Sequence, residues 1–259
     1  MIPALKSEFR KLLTVRSSYV IPAIAYALII FVLLYVMGYR NGLANTTGPG
    51  ASFFLANSII QTANILSIFG AIVALLLMTH EYRYNTIMYS LTITNRRLKV
   101  LASKMVAVIV YVFVFVAVGV AIALASQLVG LHFSGAILPH QEFSLVNYFA
   151  QTLSFCEAWA LASLLFAALL RNQVAAIAVL FIVPNTVEGL LGLLLKENVK
   201  YLPFTALSNV VTPPVASEAG RSLLEKAPWT APQAILLFLA YLVAGWIIGG
   251  VLFLKRDAN

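Results

Sequence analysis

Between His80 and Ile87 the chain reads His-Glu-Tyr-Arg-Tyr-Asn-Thr-Ile, the most informative stretch of the sequence, with an acid and a base flanked by tyrosines. Glu81 can accept hydrogen bonds, Arg83 can donate them in a planar fork, and the tyrosines add apolar area with a polar end. Such a set suits a short helix that docks into a partner. It equally suits a solvated helix terminus whose tyrosines join the membrane-interface belt. Asn57, Gln61 and Asn64 fall at i, i+4 and i+7, one helical face. Three amides facing lipid are costly, so this face meets protein or water, as a substrate path or as interhelical hydrogen bonding. Glu157 and Glu188 are the acids well inside apolar runs, where a charge costs at least ~2.5 kcal/mol. Pro184-Asn185-Thr186-Val187-Glu188 reads as a helix break and restart, with Asn185 as cap and Glu188 at capping-box spacing. Glu157 has no such local partner. It pairs with a neighbouring helix, sits neutral, or attracts a cation.

Hydrolytic and metal chemistry find no support. The sequence has no GxxxxGK[ST] loop, no HExxH, no GxSxG and no paired-Asp motif, so it cannot cradle nucleotide phosphates in the P-loop manner. His80, His132 and His140 are scattered, and the single Cys156 lies inside an apolar run. No zinc spacing and no disulfide framework follows. The chain therefore carries neither metal nor cofactor by this reading, and its energy comes from a gradient or another polypeptide.

The elements that position these residues are membrane helices. Of 259 residues 61% are hydrophobic and 10% charged, against roughly 25% charged in soluble domains. The apolar residues come in runs of about 20, matching a hydrocarbon core of roughly 30 Å. Six runs stand out: Tyr19–Gly38, Asn57–Thr79, Met105–Ala125, Tyr148–Leu170, Val174–Leu194 and Pro232–Leu254. The fold class is all-α and polytopic, a single transmembrane domain over 1–259. Before the first run, residues 2–16 place Ile2, Leu5, Phe9, Leu12 and Leu13 on one face and Lys6, Glu8, Arg10 and Lys11 on the other. That predicts an amphipathic helix in the interface, its basic face toward lipid phosphates. The run from Tyr19 is long for a signal peptide and lacks a cleavage site, so it reads as a retained span. Residues 195–231 carry Pro203, Pro213, Pro214 and Pro228, allowing short helices or re-entrant pieces at most.

Charge placement sets orientation. Alternate connections hold twelve Lys and Arg (Lys6, Arg10, Lys11, Arg16, Arg83, Arg96, Arg97, Lys99, Lys104, Arg171, Lys255, Arg256) against five (Arg40, Lys196, Lys200, Arg221, Lys226). The richer side is cytoplasmic, which puts both termini inside. The net charge of +8 is thereby explained without nucleic acid, for which a basic stripe on a soluble scaffold would be needed.

Two stretches resemble a known family. EYRYNTI leaving the second run, LTITNRR after it and then Lys104 opening the third helix are similar to the ATP-binding-cassette (ABC) type-2 permeases, whose pattern is close to E-[YF]-R-x-G-T-I. SEFRKLLTVRSSY resembles the family's opening, an interfacial helix leading into the first span. These motifs cover residues 7–19 and 80–104. Asn85 stands where Gly is usual and Asn95 where Pro often precedes Arg, both mild changes because Asn tolerates turn conformations.

The resemblance implies an exporter subunit in the cell membrane, of prokaryotic type, with residues 80–95 as a helix that couples to a separate cytoplasmic ATPase. Glu81, Tyr82, Arg83 and Thr86 would then carry coupling, with Arg171 of the Arg171-Asn172-Gln173 turn as second contact. On its residues alone, Arg171 is equally a positive-inside anchor. Two ATPases holding ATP and Mg, and a second permease copy as homodimer or heterodimer, are implied. The second and fifth spans would flank the cavity between copies, which favours the substrate-path reading of Asn57, Gln61 and Asn64. Glu157 on the fourth span and Asn185 and Glu188 on the fifth are further substrate-path candidates, with helix capping the favoured role for Glu188. Gly245 and Gly249 form a GxxxG that permits close helix approach within or between protomers. Two other classes remain at this point, a gradient-driven transporter using the intramembrane acids and a membrane-embedded immunity or sensor protein. The substrate is not legible.

Overall fold

The structure is a computed structural model that describes residues 2–42, 54–84, 97–136, 144–211 and 229–255. Within them the chain is helical, and six helices are long and apolar enough to cross a membrane. Helix α1 (Ile2–Thr14) precedes α2 (Ser17–Ile29), which continues as a π-helical stretch Ile30–Arg40 to complete the first span. Helices α3 (Phe54–Arg83), α4 (Arg97–Ser134) and α5 (Leu145–Leu170) form the second to fourth spans. The fifth is composite: α6 (Gln173–Ile182), a π turn Val183–Val187, and α7 (Glu188–Leu195). A 3-10 turn Lys196–Tyr201 and the short α8 (Pro203–Ser208) lead toward α9 (Ala231–Lys255), the sixth span.

Lipid solvation explains which faces are covered. Bulky residues such as Phe31, Val114, Leu193, Leu236 and Ile247 point outward, because a lipid tail accepts them as readily as a protein core does. The centre is α3 against α5, where small residues allow close approach: Ala160, Ala167 and Ala71 are fully covered, and Ser163 Oγ donates to Ala71 O at 2.8 Å. The first and third spans meet at paired glycines. A Cβ on Gly130 would lie 2.4 Å from Leu34 O and 2.9 Å from Gly38 Cα. Gly245 and Gly249 face inward, since a Cβ at either would strike Leu165 of α5 at 2.5 and 2.9 Å. The GxxxG thus packs within the protomer.

The third helix differs most from the sequence reading. It runs 38 residues, about 57 Å at 1.5 Å per residue, and overshoots the expected apolar run at both ends. Lys104 therefore lies inside α4 rather than opening it. Polar residues at 99–104 and 126–134 continue the helix because neighbours there bury one side of it.

Candidate functional site

At the end of the second span four charges converge. The last turn of α3 carries Glu81, α1 carries Glu8 and Lys11 one turn apart, and α4 carries Lys104. Lys104 Nζ lies 2.9 Å from Glu8 Oε2 and 2.7 Å from Glu81 Oε1, with Leu77 O at 3.4 Å. Lys11 Nζ lies 2.7 Å from Glu8 Oε1 and also bonds Glu81 Oε1. Two carboxylates and two ammonium groups sum to zero, so the cluster tolerates burial that no single member would. Lys104 is 0% exposed, Glu8 2% and Glu81 4%. Glu81 Oε2 is the one carboxylate oxygen of the set that is buried without a hydrogen-bond partner. Burial pulls the Lys11 pKa down, but its bonds and charge attraction to Glu8 and Glu81 outweigh that, leaving it above the usual lysine value.

Glu81 is 4% exposed, and its Oε1 is taken by Lys104 and Lys11 inside the protomer. One sequence expectation is corrected. Helix α1 does not turn its whole polar face to lipid phosphates: Lys6 and Arg10 are exposed, but Glu8 and Lys11 point into the protein. Glu8, Lys11 and the structural use of Lys104 escaped sequence reasoning. The available signal was the Glu8–Lys11 spacing of three residues, together with Lys104, seven residues beyond the start of α4 at Arg97.

On the other side of the same helix end, Tyr82 and Arg83 meet the Arg171-Asn172-Gln173 turn. They line a recess of about 410 Å³ shared with Thr79, Asn172, Gln173 and Val174. The turn is built by two caps. Arg171 ends α5 with φ +54°, its N–H reaching Ala167 O, and Asn172 Oδ1 accepts from Val174 N (2.9 Å) and Ala175 N (3.1 Å) to start α6. The Arg171 guanidinium lies over the Tyr82 ring at 5.6 Å, and that of Arg83 over Tyr84 at the same distance, both cation–π geometries. Tyr82, Arg83 and Arg171, separated by almost 90 positions in sequence, are thus brought together. Thr86 and the rest of 85–95, on which the coupling helix was placed, lie outside the described residues.

The substrate-path candidates separate. Asn57, Gln61 and Asn64 share an exposed face of α3 and, among the described residues, make no side-chain hydrogen bond. The interhelical bonding falls to residues one position away: Gln127 Nε2 donates to Ser58 Oγ at 2.8 Å, and Tyr148 OH to Thr62 Oγ1 at 3.0 Å.

The Asn185–Glu188 capping box does not form. The fifth span widens through the π turn at Pro184 instead of breaking, because i→i+5 bonding accommodates the missing proline N–H. Asn185 is exposed and donates Nδ2 back to Phe181 O at 2.9 Å. Glu188, 4% exposed, caps a different helix: its oxygens accept from Phe204 N (2.9 Å), Thr205 N (2.7 Å) and Thr205 Oγ1 (2.7 Å) at the start of α8. Glu157 stands apart on α5, on the wall of a separate apolar pocket.

Taken together these features define a helical membrane protein whose polar apparatus is gathered at one end of its second span. The model of the ABC-2 family transporter proteins matches residues 4–185, and the chain belongs to that family. It is a permease-type membrane component of an ABC transporter, and as such a transport subunit rather than a catalyst. No curated protein and no solved structure matches it.

Proposed function

We propose that this chain is the membrane subunit of an ABC exporter in the cell membrane. It works with a second permease copy and two cytoplasmic ATPases, which hold the ATP and Mg. Both termini and the recess of Tyr82, Arg83 and Arg171 lie on the cytoplasmic side in this reading, supported by the twelve-to-five charge distribution. The observation that carries the proposal is the join between two features at one helix end. The recess offers Arg83 and aromatic edges outward. The buried Glu8–Lys11–Glu81–Lys104 cluster ties that same helix end to α1 and α4. A push delivered at Arg83 or Arg171 would therefore move three helices as one body, the small rigid shift that packed helices permit. The exposed amides Asn57, Gln61 and Asn64 would face the second copy, lining a wet path between the two.

The test is co-purification of the chain with its ATPase, and ATP-driven efflux, for wild type and for the charge reversal Arg83→Glu with Arg171→Glu. Neither side chain is a member of the buried cluster, so the reversed protein should still fold. It is expected to lose the ATPase and the efflux together. Retention of both by the folded double variant would overturn the proposal.

A further inference from the structure

A second polar feature lies far from the cytoplasmic recess. Glu157 sits midway along α5, the helix spanning Leu145–Leu170, which places its carboxyl near the bilayer midplane. It lines a pocket of about 260 Å³ between α5, α8 and α9, walled by Leu153, Leu161, Leu207, Phe238 and Leu242. Among the described residues Ser154 is the one other polar side chain lining it, and its hydroxyl is already donated to Ala150 O at 2.7 Å. Among the described residues Glu157 makes no hydrogen bond and no ion pair, and its Oε2 is buried without a partner. A carboxyl at that depth is expensive, and acids of this kind are retained where something pairs with them.

Glu188 and Glu81 show how this chain otherwise treats buried acids. The first receives three donors and the second two ammonium groups. Glu81 also lines a largely apolar pocket, but beside Lys11; Glu157 alone of the three lines one with no donor set against it among the described residues. We propose that the pocket between the fourth and sixth spans binds a small lipophilic amine, its ammonium paired with Glu157 and its hydrocarbon body against Leu153, Phe238 and Leu242. Charge complementarity selects the head group, because the pocket lining contains no basic residue among the described residues. The volume selects the body: about 260 Å³ lies just below the roughly 300–1,000 Å³ of drug-sized sites. It suits a single alkyl chain and excludes a two-chain phospholipid or a large amphipathic peptide. A charge-assisted hydrogen bond in low dielectric favours the amine over an alcohol of equal length by about tenfold or more.

The site belongs to this chain alone and is read without ATPase or transport, so its failure is separate from failure of the exporter proposal. Purified protein in lipid nanodiscs is photolabelled with a diazirine-bearing n-decylamine and with the matching n-decanol, and labelled peptides are mapped. Saturable amine labelling of α5 and α9 is expected, at a half-saturating concentration about tenfold or more below that of the alcohol. Glu157→Gln, nearly isosteric, should bring the two probes level, and Leu239→Trp at the pocket rim should abolish labelling of α9 by either. Equal labelling by amine and alcohol in wild type overturns the proposal. So does an amine preference that survives in Glu157→Gln, or α9 labelling undiminished in Leu239→Trp. If Glu157→Gln does not fold, the wild-type amine-to-alcohol comparison and the Leu239→Trp arm decide together.

Discussion

Lys104 offers the sharpest test of how this end of the second span is held together. Replacing it by Met keeps much of the side-chain length and leaves the α4 backbone undisturbed, but removes the ammonium that lies 2.9 Å from Glu8 and 2.7 Å from Glu81. The cluster then holds two carboxylates against Lys11 alone. That remaining cation is one-third exposed, so it cannot neutralise both. Removing one partner from a buried ion cluster costs about 3–5 kcal/mol. At roughly 2–4 °C per kcal/mol for a chain of this size, the apparent melting midpoint should fall by ~6–20 °C. The single cysteine makes the assay simple: Cys156 is 0% exposed, so its reaction with a thiol dye on heating reports opening of the core. The informative control is Glu81→Gln combined with Lys104→Met. It leaves Glu8 and Lys11 as a neutral pair 2.7 Å apart and should recover to within about 1–2 kcal/mol of wild type, because neutral replacement of a buried pair is often tolerated. Additive losses in the double variant, or a Lys104→Met loss below about 1 kcal/mol, would refute the idea that these four groups act as one unit.

Further outcomes follow from individual contacts. The Lys11 pKa is raised above 10.5 in the folded chain, so the native state holds its proton longer than the unfolded state. Its stabilisation is complete below about pH 10 and is lost as pH rises through the folded value; a pH series of melting midpoints should show an alkaline decline that is smaller in Lys11→Gln. Glu188→Gln replaces an acceptor of three hydrogen bonds and sets an amide N–H against backbone donors, costing about 1–3 kcal/mol by the same Cys156 assay. Gly130→Ala should cost about 1–3 kcal/mol, because the new methyl meets the Leu34 carbonyl and Gly38 backbone. Gly245→Ala should cost less, since only the mobile tip of Leu165 stands in its way.

What the sequence alone determined about this protein is its solvent. Runs of apolar residues near the length of the hydrocarbon core demand membrane helices whatever their packing, and the distribution of Lys and Arg supplied an expected orientation. The motif at Glu81–Ile87 and the opening around Glu8 pointed to the family, because they are local and contiguous. Tertiary structure decided what each polar residue does. A face can be read from periodicity, but whether it meets lipid, solvent or a partner depends on what packs there. Ser58 and Thr62, rather than Asn57, Gln61 and Asn64, receive the hydrogen bonds between helices. Glu188 caps a helix sixteen residues away instead of its own, a contact set by how α8 folds back. Glu81 illustrates the limit best. Its neighbours in sequence made it resemble a docking residue, yet cations from two other helices, 70 residues before it and 23 after, claim both charge and space. Pairing of buried charges is a long-range electrostatic requirement, and no local pattern encodes which partner will satisfy it.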